Sequence, residues 1–146
     1  AAAPPRAVAA AAPVEPTKPA VKYQVVEMRR MTPCENRGMH NIFIKVVDAG
    51  GSPVDGVTLV QVPKGQPGNV LDKAQSGSKG PGLAEFVMWK GAEYTVYVSE
   101  DGANPSSSDF AEPLHSNFGD EAMCEDGGGG NTLYHNSFNV VFKKNF

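Results

Sequence analysis

Residues 41–53 read NIFIKVVDAGGSP, a strand pattern that runs directly into a turn. Ile42, Ile44 and Val46 fall on one face of an extended chain, and the residues between them fall on the other. This period of two is typical of a half-buried β-strand. The Gly and Pro residues of 48–53 supply the backbone angles that a tight turn needs. The segment therefore predicts a β domain.

Similar patterns lie on both sides of this segment. Strands are predicted at residues 23–31, 57–62, 70–74, 83–89, 93–99 and 136–144. Lys90-Gly91-Ala92 predicts a hairpin between two of them, and residues 100–135 are expected to be irregular. No segment has the apolar spacing of a helix. Seven or eight short strands predict an all-β, immunoglobulin-like sandwich, with Phe138, Val140 and Phe142 facing inward.

The chain divides near residue 21. Residues 1–21 are rich in Ala and Pro, which predicts an extended arm or linker, and residues 22–146 form the predicted sandwich domain. Such an arm could pack on a neighbouring subunit, and the following residues could be donated to its sheet edge. The residues proposed for this assembly arm are Pro4, Pro5, Pro13, Pro16, Pro19, Val21, Tyr23 and Val25.

Composition narrows the class of protein. A chain of 146 residues suits one domain. Its net charge of −3 gives no electrostatic reason to expect a nucleic-acid partner, and Arg29-Arg30 is interpreted as a solvated strand end. No apolar run is long enough to predict a membrane span. The first residue is Ala1, which is consistent with removal of a signal peptide or with trimming.

Cys34 and Cys124 are the two cysteines of the chain. A pair in a Gly-rich β protein predicts one disulfide, and two buried free thiols are the alternative. A metal site is less favoured, because neither residue belongs to a C-x-x-C pair. The disulfide favours an extracellular or cell-surface location.

Part of the chain resembles a known group of domains. Val46-Val47-Asp48-Ala49-Gly50-Gly51-Ser52-Pro53-Val54-Asp55-Gly56-Val57, then Gly82-Leu83-Ala84-Glu85-Phe86, then Tyr94-Thr95-Val96 resemble the carboxypeptidase-regulatory-like and transthyretin-like domains of immunoglobulin type. The resemblance implies an accessory, adhesive or structural module. Cys34, His40-Asn41-Ile42 and Leu133-Tyr134-His135-Asn136-Ser137 also look like uncharacterised modules of environmental bacteria.

The histidines are weak candidates for chemistry. His40 and His135 each precede a predicted strand, and adjacent strands would bring them together. A transition metal or a structural hydrogen-bonding role are the alternatives, and the structural role is preferred. The acidic residues around Cys124 could hold Ca²⁺ or form a solvated loop, and the solvated loop is preferred. No nucleophile or carboxylate arrangement supports an enzyme, and no cofactor is predicted.

Two functions follow. The first is a structural subunit of an extracellular filament or surface assembly, a polymer of itself joined through the arm. The second is a carbohydrate- or protein-binding accessory module of a secreted protein. Trp89 and Tyr134 are its candidate ligand-binding residues, because exposed aromatic rings can stack on sugars or fill a partner's pocket.

Overall fold

A computed structural model describes residues 21–146, and the arm prolines Pro4, Pro5, Pro13, Pro16 and Pro19 lie outside the described residues. Almost all regular structure is β, which confirms the predicted fold class. The elements are β1 (Tyr23–Arg30), α1 (Pro33–Asn36), β2 (Asn41–Asp48), β3 (Thr58–Pro63), β4 (Asp72–Gln75), β5 (Leu83–Val87), β6 (Glu93–Val98), β7 (Ala111–His115), β8 (Ala122–Met123), β9 (Gly130–Asn131) and β10 (Phe138–Lys144).

Eight of the strands form two four-stranded sheets. The first sheet has the order β1-β10-β2-β5, in which β10 is antiparallel to β1 and parallel to β2. The second has the order β4-β3-β6-β7 and is antiparallel throughout. β8 and β9 form a separate two-stranded sheet.

The core lies between the two large sheets. Alternate residues of β2 and β10 face it, as the sequence predicted, and Phe142 is fully buried. Tyr94 and Val96 of β6 contribute from the second sheet. The outer face of that sheet is also covered, because Val60, Val62 and Tyr97 form a smaller buried cluster there.

The hairpin predicted at Lys90-Gly91-Ala92 is wrong. β5 pairs with β2 in the first sheet, whereas β6 pairs with β3 and β7 in the second. The connection therefore crosses from one sheet to the other, and the residues around Trp89 lie at the edge of the sandwich.

The region predicted to be irregular contains regular elements. β7, β8 and β9 all fall within residues 100–135. The short helix α1 was not predicted either. It begins with a capping box, in which the Thr32 hydroxyl accepts from the Glu35 backbone N–H and the Glu35 carboxylate accepts from the Thr32 backbone N–H.

A small cap, formed by α1, β8, β9 and the turn at residues 132–135, covers one end of the first sheet. The predicted disulfide between Cys34 and Cys124 is confirmed and joins α1 to the segment after β8. The backbone N–H of Gly38 donates to the carbonyl of Gly130 at 2.8 Å. The cap is thus held by covalent and hydrogen bonds together.

β1 contains two residues of the predicted assembly arm, Tyr23 and Val25. Tyr23 lies opposite Lys144, and Val25 lies opposite Phe142, so both residues pair with β10 of the same chain. The Tyr23 ring is buried in the core. Val21 is held as well, since its carbonyl accepts a hydrogen bond from the Asn145 side chain at 2.9 Å. In this structure these three residues belong to the sandwich domain.

Across residues 21–146, no helix is long and apolar enough to cross a membrane.

Candidate functional site

Three neighbouring strands of the first sheet, β10, β2 and β5, have chain ends that lie together at one end of the sandwich. β10 and β2 are parallel, with Phe138 opposite Ile42, so the segments that lead into them begin side by side. β5 is antiparallel to β2, with Val87 opposite Asn41, so the segment that follows β5 reaches the same end of the sandwich. This topology brings together residues that are far apart in the sequence.

His40 fixes the position of the chain after β5. Its ring Nδ1 lies 2.6 Å from the carbonyl oxygen of Met88, and its own carbonyl accepts from the Met88 N–H at 2.8 Å. Because a carbonyl can only accept, the Nδ1 carries the proton and leaves Nε2 available to a ligand. The structural role preferred for His40 therefore has a definite partner.

Trp89 follows Met88 and points into solvent. Its side chain is 66% exposed, whereas Met88 is fully buried. The backbone is fixed on both sides: the Trp89 N–H donates to the Tyr94 hydroxyl at 3.0 Å, and its carbonyl accepts from the Ala92 N–H at 3.2 Å. An exposed indole on a fixed backbone is arranged to meet a ligand with little loss of backbone entropy.

Tyr134 and His135 come from the turn that precedes β10. Tyr134 has a φ of 70°, a left-handed conformation that few non-glycine residues adopt. Two buried asparagines hold this turn: Asn136 donates to the Thr132 carbonyl at 2.9 Å, and Asn36 donates to the His135 carbonyl at 2.9 Å. The cap thus positions both side chains.

Together these segments form an open cleft of about 440 Å³, within the range of about 300–1,000 Å³ typical of small-molecule sites. We call it the Trp89 cleft. Its lining residues are His40, Trp89, Lys90, Tyr134 and His135. Both residues predicted to bind a ligand and both candidate histidines lie in it.

The rings of the cleft contact one another. The centroid of His40 is 5.7 Å from that of Trp89 and 5.6 Å from that of His135, the latter pair being edge to face. Lys90 extends over Tyr134, with its Nζ 5.9 Å from the ring centroid. The sequence did not single out Lys90, because it stands in a turn that looked like an ordinary hairpin loop.

A second depression lies on the other side of Trp89. This groove, of about 400 Å³, is lined by Gln61, Pro63, Leu71, Asp72, Val87, Trp89, Ala92, Glu93 and Tyr94. Leu71 is 53% exposed and contributes an apolar wall. Trp89 separates the groove from the cleft, so an extended ligand could contact both.

Other aromatic residues lie apart from the Trp89 cleft. Tyr97 is buried on the outer face of the second sheet, where its ring packs against Phe110 at 5.5 Å. Phe118 stacks on His115 at 4.5 Å. None of these lines the cleft.

The acidic loop near Cys124 is partly neutralised. Asp120 pairs with Arg30 at 2.7 Å, and Asp126 pairs with Arg37 at 2.6 Å. Hydrogen bonds from these guanidiniums lower the pKa of both carboxyls.

Within residues 21–146 there is no group of three or more His, Cys, Asp or Glu residues suited to a metal ion. His40 and His135 are close, but they offer only two imidazoles.

The fold and the cleft together are those of a β-sandwich with an open aromatic site at the edge of one sheet. No protein-family model matches the chain, and a search of curated proteins found no significant match.

Proposed function

We propose that the domain binds carbohydrate in the Trp89 cleft and serves as an accessory module of a secreted protein. The exposed indole of Trp89, fixed on its backbone and flanked by Tyr134, carries the proposal. A flat, rigid ring offers an apolar face to the C–H groups of a sugar, and its neighbours offer hydrogen bonds to the hydroxyls.

The chemistry around the ring supports this ligand class. His40 and His135 contribute ring nitrogens, and Lys90 contributes an ammonium group. The open shape suits a chain that passes over the surface. The Cys34–Cys124 disulfide supports an extracellular setting, and the turn-rich segments quoted above support a sandwich of carboxypeptidase-regulatory-like or transthyretin-like type.

A glycan array with wild type and Trp89→Ala tests the proposal. We expect wild type to bind a defined set of glycans and Trp89→Ala to lose about tenfold or more in affinity, the loss typical of a central aromatic contact. Phe146→Ala is the matched control, because Phe146 is 70% exposed and follows the far end of β10. Absence of binding by wild type, or equal binding by Trp89→Ala, would reject the proposal.

Self-assembly is a second candidate, and one observation favours it. β1 is the terminal strand of its sheet, and Val26 and Met28 are 48% and 37% exposed on it. The start of β1 is already bonded to residues 107–109 through Tyr23 and Val25, and the remaining edge, with its apolar side chains, can pair with a second copy. Residues 1–20, which lie outside the described residues, are the proposed arm that packs on the neighbour.

Deletion of residues 1–20 tests the contribution of the arm. We expect the full chain to form particles larger than a monomer in light scattering, and the deletion to give a folded monomer. Equal particle size for both proteins would exclude the arm as the assembly element.

A further inference from the structure

From the charges around the Trp89 cleft, we infer that its ligand is an acidic saccharide, one that carries carboxylate groups such as uronic acid residues. This inference rests on the proposed carbohydrate-binding function and adds the charge of the ligand. It arises from the asymmetry between the two sides of Trp89.

The walls of the cleft carry only neutral or cationic groups. Lys90 is a cation, and His40 and His135 are either neutral or positive, whereas no carboxylate lines the cleft. This contrasts with the whole chain, whose net charge is −3. The cleft is therefore a local exception to the acidic character of the protein.

Lys90 is free to pair with a ligand. It forms no salt bridge among residues 21–146, in common with Lys45, Lys73, Lys79, Lys143 and Lys144, whereas the other basic residues described do. The paired residues are Lys22, Arg29, Arg30, Arg37 and Lys64. The ammonium of Lys90 instead lies over the Tyr134 ring, where a carboxylate bound in the cleft can reach it.

The histidines supply directional contacts. His40 uses Nδ1 on the Met88 carbonyl and keeps Nε2 for the ligand. The His135 Nδ1 lies 3.3 Å from both the Leu133 carbonyl and the Thr132 hydroxyl, which likewise leaves its Nε2. Each Nε2 can accept from a sugar hydroxyl when neutral and donate to a carboxylate when protonated.

The groove on the other side of Trp89 has the opposite character. Asp72 and Glu93 line it and no basic residue does, although Lys64 lies 3.8 Å from the Glu93 carboxylate and partly neutralises it, so Asp72 is its main negative charge. Like charges repel, so a carboxylate on the ligand is favoured on the Lys90 side and disfavoured on the Asp72 side. The indole of Trp89 therefore separates a region that attracts anions from one that repels them. A bound saccharide chain is expected to lie with its carboxylates on the Lys90 side.

Binding of polymers with and without charge tests the inference. The probes are polygalacturonate and alginate, each compared with its carboxyl-reduced, neutral counterpart, by isothermal titration calorimetry at low salt. We expect at least one acidic polymer to bind more tightly than its neutral form, and the difference to shrink as salt is added. Lys90→Gln should weaken binding to that acidic polymer by about two- to fivefold, the range of a solvent-exposed ion pair.

The controls separate charge from carbohydrate binding. Lys79→Gln removes an exposed lysine that does not line the cleft and should leave both affinities unchanged. Equal or tighter binding of the neutral polymers, with loss in Trp89→Ala, overturns the acidic-ligand inference and leaves carbohydrate binding in place. Failure of wild type to bind any of the four polymers overturns the acidic-ligand inference, and the glycan array then decides the proposed function separately.

Discussion

The imidazole of His40 lies edge to face with that of His135, with 5.6 Å between the ring centroids. The two residues are brought together by the parallel pairing of β2 with β10. They nevertheless differ in what holds them, because His40 bonds to a buried carbonyl while His135 is exposed in a turn.

That difference gives the first prediction. His40→Ala removes the hydrogen-bond partner of the buried Met88 carbonyl, so it should lower the free energy of unfolding by about 1–3 kcal/mol. His135→Ala should change it by less than about 0.5 kcal/mol, as exposed substitutions usually do. Urea unfolding followed by fluorescence measures both, and Trp89 is the single tryptophan of the chain. Equal effects of the two changes would contradict the assigned role of His40.

The disulfide gives the second prediction. Cys34 and Cys124 are 90 residues apart, and closing a loop of that length stabilises by about 4–5 kcal/mol on the chain-entropy model, with measured values often smaller. We expect the double change of Cys34 and Cys124 to Ser to lower the free energy of unfolding by about 2–5 kcal/mol. Denaturant titration measures it, and wild type in reducing agent is the control. An unchanged midpoint in both would contradict a structural role for the bond.

Gly82 gives the third prediction. It has a φ of 72°, and a Cβ added there would lie 2.7 Å from the Val46 carbonyl oxygen and 2.9 Å from Pro53 Cβ. Gly82→Ala therefore combines backbone strain with a clash and should cost more than about 2 kcal/mol. Gly51→Ala is the control, since its φ is 92° but nothing lies within 4 Å of the added Cβ. Thermal unfolding should show the larger loss for Gly82→Ala, and the reverse order would contradict this packing.

The ion pair beside α1 gives the fourth prediction. A hydrogen bond from Arg29, assisted by the Thr32 backbone N–H, lowers the pKa of Glu35 to about 2. A carboxyl whose pKa is lower in the folded state stabilises the fold at pH values above its unfolded-state pKa. This contribution to the free energy of unfolding is lost as the pH falls toward 2. NMR titration should show this pKa, and Arg29→Gln should raise it toward the usual 4.5.

Asp101 provides the control for that titration. Backbone hydrogen bonds from Asn104 and Ala103 lower its pKa to about 2, with no contribution from Arg29. Arg29→Gln should therefore leave Asp101 unchanged. A Glu35 that titrates near 4.5 in wild type would refute the ion pair in solution.

The sequence predicted the parts of the fold that depend on local pattern. Ile42, Ile44 and Val46 alternate, and they do line the core. The pairing of β5 was mispredicted, because a short Gly-containing connection suits a hairpin and a crossing between sheets equally well. Pairing is decided by contacts between β5 and β2, which lie far apart in the chain.

The sequence did not predict α1 or β7, and the reasons differ. α1 has a readable signal, the Thr32-x-x-Glu35 capping box, but the helix is too short to show apolar periodicity. β7 contains Pro113, which argues against a strand, and it is tolerated because β7 is the terminal strand of its sheet.

The candidate site was predictable by residue type but only partly by position. Trp89 and Tyr134 were identified as aromatic residues on loops, and the proximity of His40 and His135 followed from adjacent strands. That all four share a cleft depends on β2, β5 and β10 being neighbours. Lys90 had no signal of its own, because only this three-dimensional arrangement places it beside Tyr134.

The central position of β10 constrains when the domain can form during its synthesis. β10 lies between β1 and β2, yet it is the last strand of the domain to leave the ribosome. Until it emerges, β1 lacks its main hydrogen-bonding neighbour, and the turn at residues 132–135 has no strand to hold it beside β2. The nascent chain therefore cannot complete the first sheet from its N-terminal strands alone, and the apolar residues of that sheet stay exposed until β10 has emerged.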